Sequence, residues 1–156
     1  MDTKRRTELL QKYRTGHQAV VDALAGLRDD ELDRSSGGDD DWTPRQIVHH
    51  IADSEMTSAI RLRRLIAEDN PTIVGYDEKV FANSLTRDRP IEPSLEATRW
   101  ARESTLQILE RLTDDEWKKA GTHTELGPYS VERWLEVYAA HCHDHADQIK
   151  KTRGKA

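Results

Sequence analysis

With 156 residues, 35% of them hydrophobic and a single phenylalanine, the chain has the length of one domain, read as spanning 1–156, with a lean core. Its charged residues, 34% of the total, mix both signs to a net charge of −5 with no basic stripe, which argues against a nucleic-acid partner. The single Cys142 excludes an internal disulfide, no segment approaches the roughly 18 apolar residues of a membrane span, and Met1-Asp2-Thr3-Lys4 opens without an apolar leader, so a cytoplasmic address with no membrane partner is expected.

Four long helical patterns dominate and strand signals are nearly absent, so the predicted class is all-α. The first runs from about Thr3 to Leu27, with Leu9, Leu10, Tyr13, His17, Val20, Val21, Leu24 and Leu27 at helical spacing, and ends before a polar loop containing Gly37-Gly38. The second opens at Thr43-Pro44-Arg45-Gln46, which supplies a Thr N-cap, Pro at the first helical position and Gln three residues after the cap, and continues to about Asp69. The stretch from Asn70 to Pro93 carries Ile73, Val74, Tyr76, Val80 and Phe81. It is expected to pack over the bundle with a short helix of its own. The third pattern follows Pro93-Ser94 through Leu95, Thr98, Trp100, Thr105, Ile108, Leu109 and Leu112. The fourth runs from Ser130 to about Thr152, before Gly154.

The two halves echo each other. Leu24-Ala25-Gly26-Leu27-Arg28-Asp29-Asp30-Glu31-Leu32 matches Leu109-Glu110-Arg111-Leu112-Thr113-Asp114-Asp115-Glu116-Trp117, and Thr113 with Glu116 forms a capping box in the second copy. A duplicated helical hairpin predicts a four-helix bundle with pseudo-symmetry, in which the second and fourth helices face each other.

Those two helices carry the histidines. His141 and His145 are four apart, so both project from one helical face with β-carbons about 5–6 Å apart, close enough to share a metal ion. Trp134, Tyr138, His141, His145 and Ile149 form one stripe, which turns both imidazoles inward and leaves His143 opposite and solvated. On the second helix Ile47, His50, Ile51 and Ser54 share a face, so His50 rather than His49 is placed inward. Three buried imidazoles would be costly unpaired, and a shared metal resolves that cost.

Trp42-Thr43-Pro44-Arg45-Gln46-Ile47-Val48-His49-His50-Ile51-Ala52-Asp53-Ser54-Glu55, then Arg61, Gly75-Tyr76-Asp77 and finally His141-Cys142-His143-Asp144-His145-Ala146-Asp147-Gln148-Ile149 resemble the DinB/YfiT-like superfamily of small metal-binding four-helix proteins. The resemblance covers nearly the whole chain. It implies a divalent metal held by His50, His141 and His145, with zinc expected first and nickel or iron as alternatives, a homodimer, and a small-molecule substrate. The activity implied by the resemblance is transfer of a low-molecular-weight thiol to a small electrophile, in detoxification or stress defence, with a metal-dependent hydrolase of small substrates or a non-catalytic metal-binding dimer as the alternatives.

The ligand set itself points to reactive chemistry. Three neutral imidazoles leave a divalent ion its full charge and open coordination positions, which favours ionised water or thiolate. No His-Glu-x-x-His is present, which argues against a zincin-type protease. Cys142 lies about 100° around the helix from His141 and is read as a small core residue. Asp53, Glu55, Asp144 and Arg61 are candidate supporting or general-base groups. Tyr76, Trp100 and Tyr138 are candidate pocket walls, with core packing the expected job of Trp100.

Overall fold

The computed structural model describes residues 1–35 and 42–153, so Gly37-Gly38 and Gly154 lie outside the described residues. Helix α1 (Thr3–Leu24) starts at Asp2, whose carboxylate accepts the Arg5 amide at 2.8 Å. It stops short of Leu27 because Gly26 takes a left-handed φ of 78°, a conformation that ends helices. After a 3₁₀ turn at Asp29–Glu31, α2 (Pro44–Ala67) opens on the reciprocal cap that the sequence predicts. Thr43 Oγ1 accepts from the Gln46 amide, and Gln46 Oε1 accepts from the Thr43 amide.

Strand β1 (Thr72–Ile73) and helix α3 (Glu78–Leu85) occupy the stretch before α4 (Glu92–Leu109). Of the apolar residues there, Ile73 is fully buried, whereas Val74 and Val80 stay exposed. A short helix α5 (Asp114–Trp117) carries the Thr113–Glu116 capping box. It leads into β2 (Ala120–His123), β3 (Gly127–Ser130) and α6 (Val131–Arg153), whose first turn is capped by Ser130 Oγ accepting the Arg133 amide.

Three short strands add a small sheet to the helical bundle, which the near-absence of strand signals did not foretell. Strand β2 pairs parallel with β1 and antiparallel with β3. Strands of two to four residues cannot display an alternating pattern, and Gly121, Gly127 and Pro128 interrupt it further. Gly121 is required there: a β-carbon would sit 2.3 Å from the Pro71 carbonyl, which accepts the neighbouring Thr122 amide.

The chain is mostly helical, and its long helices form a four-helix bundle. One core cluster joins Leu9 and Tyr13 of α1, Leu62 and Leu65 of α2, Leu106 and Leu109 of α4, and Trp134, Leu135 and Tyr138 of α6. The other joins Val20 and Ala23, Ile47, Val48 and Ile51, Ile91, and Cys142, Ala146 and Ile149. Helices α1 and α6 therefore run parallel, and α2 and α4 run antiparallel to them, as two hairpins placed side by side would. The sheet closes the first cluster through Ile73 and Tyr129. The lean apolar content is met by small polar residues packed inside, including Ser58, Thr98 and Thr105. Trp134 is fully buried, and its Nε1 donates to the Ser58 carbonyl at 2.9 Å, so no orphan donor results. No described helix is long and apolar enough to cross a membrane.

Candidate metal centre

His50 on α2 and His141 and His145 on α6 come together between the two helices. Their ligand atoms all lie within 4.8 Å of one another. The Nε2 atoms of His50 and His141 are 3.2 Å apart, and the His145 ring centroid lies 4.7 Å from that of His50 and 4.6 Å from that of His141. His145 Nδ1 is engaged by Gln148 Oε1 at 2.8 Å, one turn on along α6. Burial, and then the neighbouring His145 and His141, push His50 down to about 2, so it is neutral and its lone pair is available at physiological pH.

This donor set fits a divalent ion. Two imidazole nitrogens sharing a tetrahedral ion at about 2.0–2.1 Å lie about 3.3 Å apart, close to the His50–His141 separation. Three imidazoles on two helices leave room for at least one further ligand. A second group of potential ligands, Glu55, His141 and Cys142, has a different chemistry. Arg102 Nη1 lies 2.5 Å from Glu55 Oε1 and 3.2 Å from Cys142 Sγ, so a cation already fills that space.

The remaining candidates separate clearly. His49 is as buried as His50 but faces α4, with Nδ1 2.8 Å from Ser94 Oγ. His143 is less solvated than its position on the helix suggested. The close parallel packing of α1 half-buries it, with Nε2 2.9 Å from the Lys12 carbonyl. Cys142 is a core residue whose thiol is pushed up by burial and by Glu55, so it is neither nucleophile nor free ligand. Asp144 is exposed, and Asp53 is half-buried. Arg61 donates to the Tyr138 hydroxyl at 3.3 Å and to the Val74 carbonyl at 2.7 Å, which ties α2 to α6 and to the segment after β1. Tyr138 packs against His141, with ring centroids 5.7 Å apart. Trp100 is not in the core: it is 57% exposed, with the Arg99 guanidinium 3.9 Å over its ring.

The cleft beside the triad is lined by Trp42, Glu78, Lys79, His145 and Gln148 and has a volume of about 210 Å³. Trp42 stacks on His145 with planes 15° apart and lies 4.8 Å from the His50 ring centroid. Glu78 Oε2 reaches to 4.0 Å from His50 Nε2. Glu78 was not singled out from sequence, because α3 is placed over the site by long-range packing. Arg102 was also missed, although a signal existed: it falls on the inward stripe Leu95, Thr98, Thr105 and Leu109, where a cation must find a partner.

A helical bundle with an inward histidine triad on two facing helices defines a metalloprotein of the small bundle type. The chain belongs to the DinB superfamily, whose family model matches residues 6–149. It is 37% identical over 132 residues, covering 83% of this chain and 75% of the other, to a candidate metal-dependent hydrolase of Oceanobacillus iheyensis. A second such protein of that organism is 27% identical over 143 residues, with coverage of 92% and 82%. Among solved structures, YfiT from Bacillus subtilis, described as a candidate metal-dependent hydrolase with an unusual four-helix bundle topology, superimposes with a TM-score of 0.89. The two are 28% identical, over 99% of this chain and 89% of that one. These likenesses support a metal-dependent enzyme.

Proposed function

We propose that His50, His141 and His145 hold one divalent metal ion, zinc in the first instance, and that the chain hydrolyses a small substrate bound in the cleft beside them. The observation that carries this reading is the convergence of the His50 and His141 Nε2 atoms beside a cleft that His145 lines, with Glu78 Oε2 4.0 Å from His50 Nε2. Bound there, the ion supplies Lewis acidity toward the substrate and its nucleophile. Glu78 is placed to accept the proton that water gives up on attack and to return it to the leaving group. The Trp42 indole forms an apolar wall over two of the histidines. The names carried by the relatives favour the same class of reaction.

Thiol transfer is the second reading, in which a low-molecular-weight thiol replaces water. It is favoured by Lys79 on the cleft wall, a cation suited to carboxylates on such a thiol. A homodimer belongs to the same proposal, with Met56, Ile60 and Val74 as its exposed apolar face. Light scattering at roughly twice the chain mass would support it, and a clean monomer would remove it.

The test is turnover of ester, amide and electrophile panels by metal-loaded and chelator-treated protein, with and without added thiols. Hydrolysis that is lost on chelation, and that falls by about 10²–10⁴ in Glu78→Gln, is the expected result. Turnover only when a thiol is present would replace hydrolysis by transfer, and turnover indifferent to chelation would sink both.

A further inference from the structure

We propose that Glu55 is a positioning residue that holds His141 as the Nδ1–H tautomer, so that its Nε2 lone pair is presented to the site. The inference rests on the reading of His50, His141 and His145 as metal ligands. Glu55 is completely buried, and its Oε1 lies 3.8 Å from His141 Nδ1. That separation is longer than a hydrogen bond. Both His141 Nδ1 and Glu55 Oε2 are nonetheless buried without any hydrogen-bond partner. A buried polar atom left unpaired is destabilising, so an approach of less than an ångström that satisfies the imidazole N–H is favoured.

The charge on Glu55 settles which partner donates. Arg102 Nη1 donates to Glu55 Oε1 at 2.5 Å inside the core, a charge-assisted contact that requires the carboxylate form. An ionised carboxylate only accepts, so the proton between the two groups must sit on Nδ1. Arg102 cannot swing away to leave the carboxylate free: its Nε and Nη2 donate to the Tyr13 carbonyl at 3.2 and 2.5 Å, and its Nη1 reaches the Tyr138 carbonyl at 3.3 Å. The guanidinium thus ties α1, α2, α4 and α6 together at the level of His141.

The other ligand on α6 is treated alike, since His145 Nδ1 meets Gln148 Oε1 at 2.8 Å. An acceptor behind Nδ1 fixes the ring and raises the basicity of Nε2. If Glu55 were only the counter-ion of Arg102, neither the tautomer of His141 nor metal affinity would depend on it.

Imidazole-¹⁵N spectra of the metal-free wild-type protein at mildly alkaline pH test this without any substitution. The expected signature is a neutral His141 protonated at Nδ1, and a His141 protonated at Nε2 would overturn the inference. Competition titration with zinc should then show Glu55→Gln binding about 10- to 100-fold more weakly than wild type. Equal affinity in a folded Glu55→Gln protein would also overturn it. Failure of the wild-type protein to bind zinc would instead remove the metal-centre reading, with the tautomer measurement still deciding the role of Glu55.

Discussion

His49 Nδ1 sits 2.8 Å from Ser94 Oγ, which commits this imidazole to the α2–α4 contact while His50, about 100° further round α2, turns to α6. Two adjacent histidines therefore face different helices: one meets α4 and the other meets the histidines of α6. His49→Ala should retain full metal content and lose roughly 1–3 kcal/mol of stability, because Ser94 Oγ loses its buried imidazole partner. His50→Ala should show the reverse pattern. Elemental analysis together with urea unfolding distinguishes them, and loss of metal in His49→Ala alone would contradict the assignment.

Arg102 and Glu55 form a buried ion pair, 4% and 0% exposed, at 2.5 Å. Removing one charge strands the other, so Arg102→Met should destabilise the fold by about 3–5 kcal/mol, whereas Glu55→Gln/Arg102→Met together should recover part of that loss. Chemical denaturation of wild type, the two single variants and the double variant measures it. Additive losses would show that the two charges do not act as a pair.

Gly16 lies inside α1, where alanine ordinarily stabilises a helix by about 1 kcal/mol. Here a β-carbon would meet Arg102 Nη2 at 2.7 Å and Cys142 Cβ at 2.9 Å. Gly16→Ala should therefore destabilise by about 1–3 kcal/mol, the cost of overpacking. A rise in Tm would mean that the α1–α6 contact gives way more easily than its packing implies.

The parts of this molecule legible in its sequence are those encoded locally. The Thr43–Gln46 and Thr113–Glu116 caps and the stripe through Trp134, Tyr138, His141 and His145 are short-range patterns, and each appears as the spacing predicts. Choosing His50 over His49 needed only a helical step of 100°. Features made by distant segments were not legible: the two-residue β1 pairing with β2, Glu78 carried over the site by α3, and His143 covered by α1. Trp100 was misplaced for a related reason. Its neighbours Thr98, Arg102 and Thr105 take the inward face through polar contacts, and hydropathy gives such residues little weight.

Acid should weaken the metal-free fold. Burial lowers His49, and burial with the charges of His145 and His141 lowers His50, whereas an unfolded imidazole titrates near 6.5. Below about pH 6.5 the unfolded chain takes up protons that the native chain refuses, so stability falls as pH drops toward the folded values and is fully present above 6.5. Urea unfolding should show a loss of roughly 1–2 kcal/mol between pH about 7 and about 5.5. Constant stability over that range would show that these rings protonate freely in the fold.

The measurement that bears most directly on the site is metal stoichiometry by equilibrium dialysis against zinc, for wild type and for single alanine variants at His49, His50, His141 and His145. Wild type and His49→Ala should hold about one ion per chain, and each of the other three should hold close to none while remaining helical by circular dichroism. A full complement of zinc in His50→Ala or His145→Ala would contradict the triad.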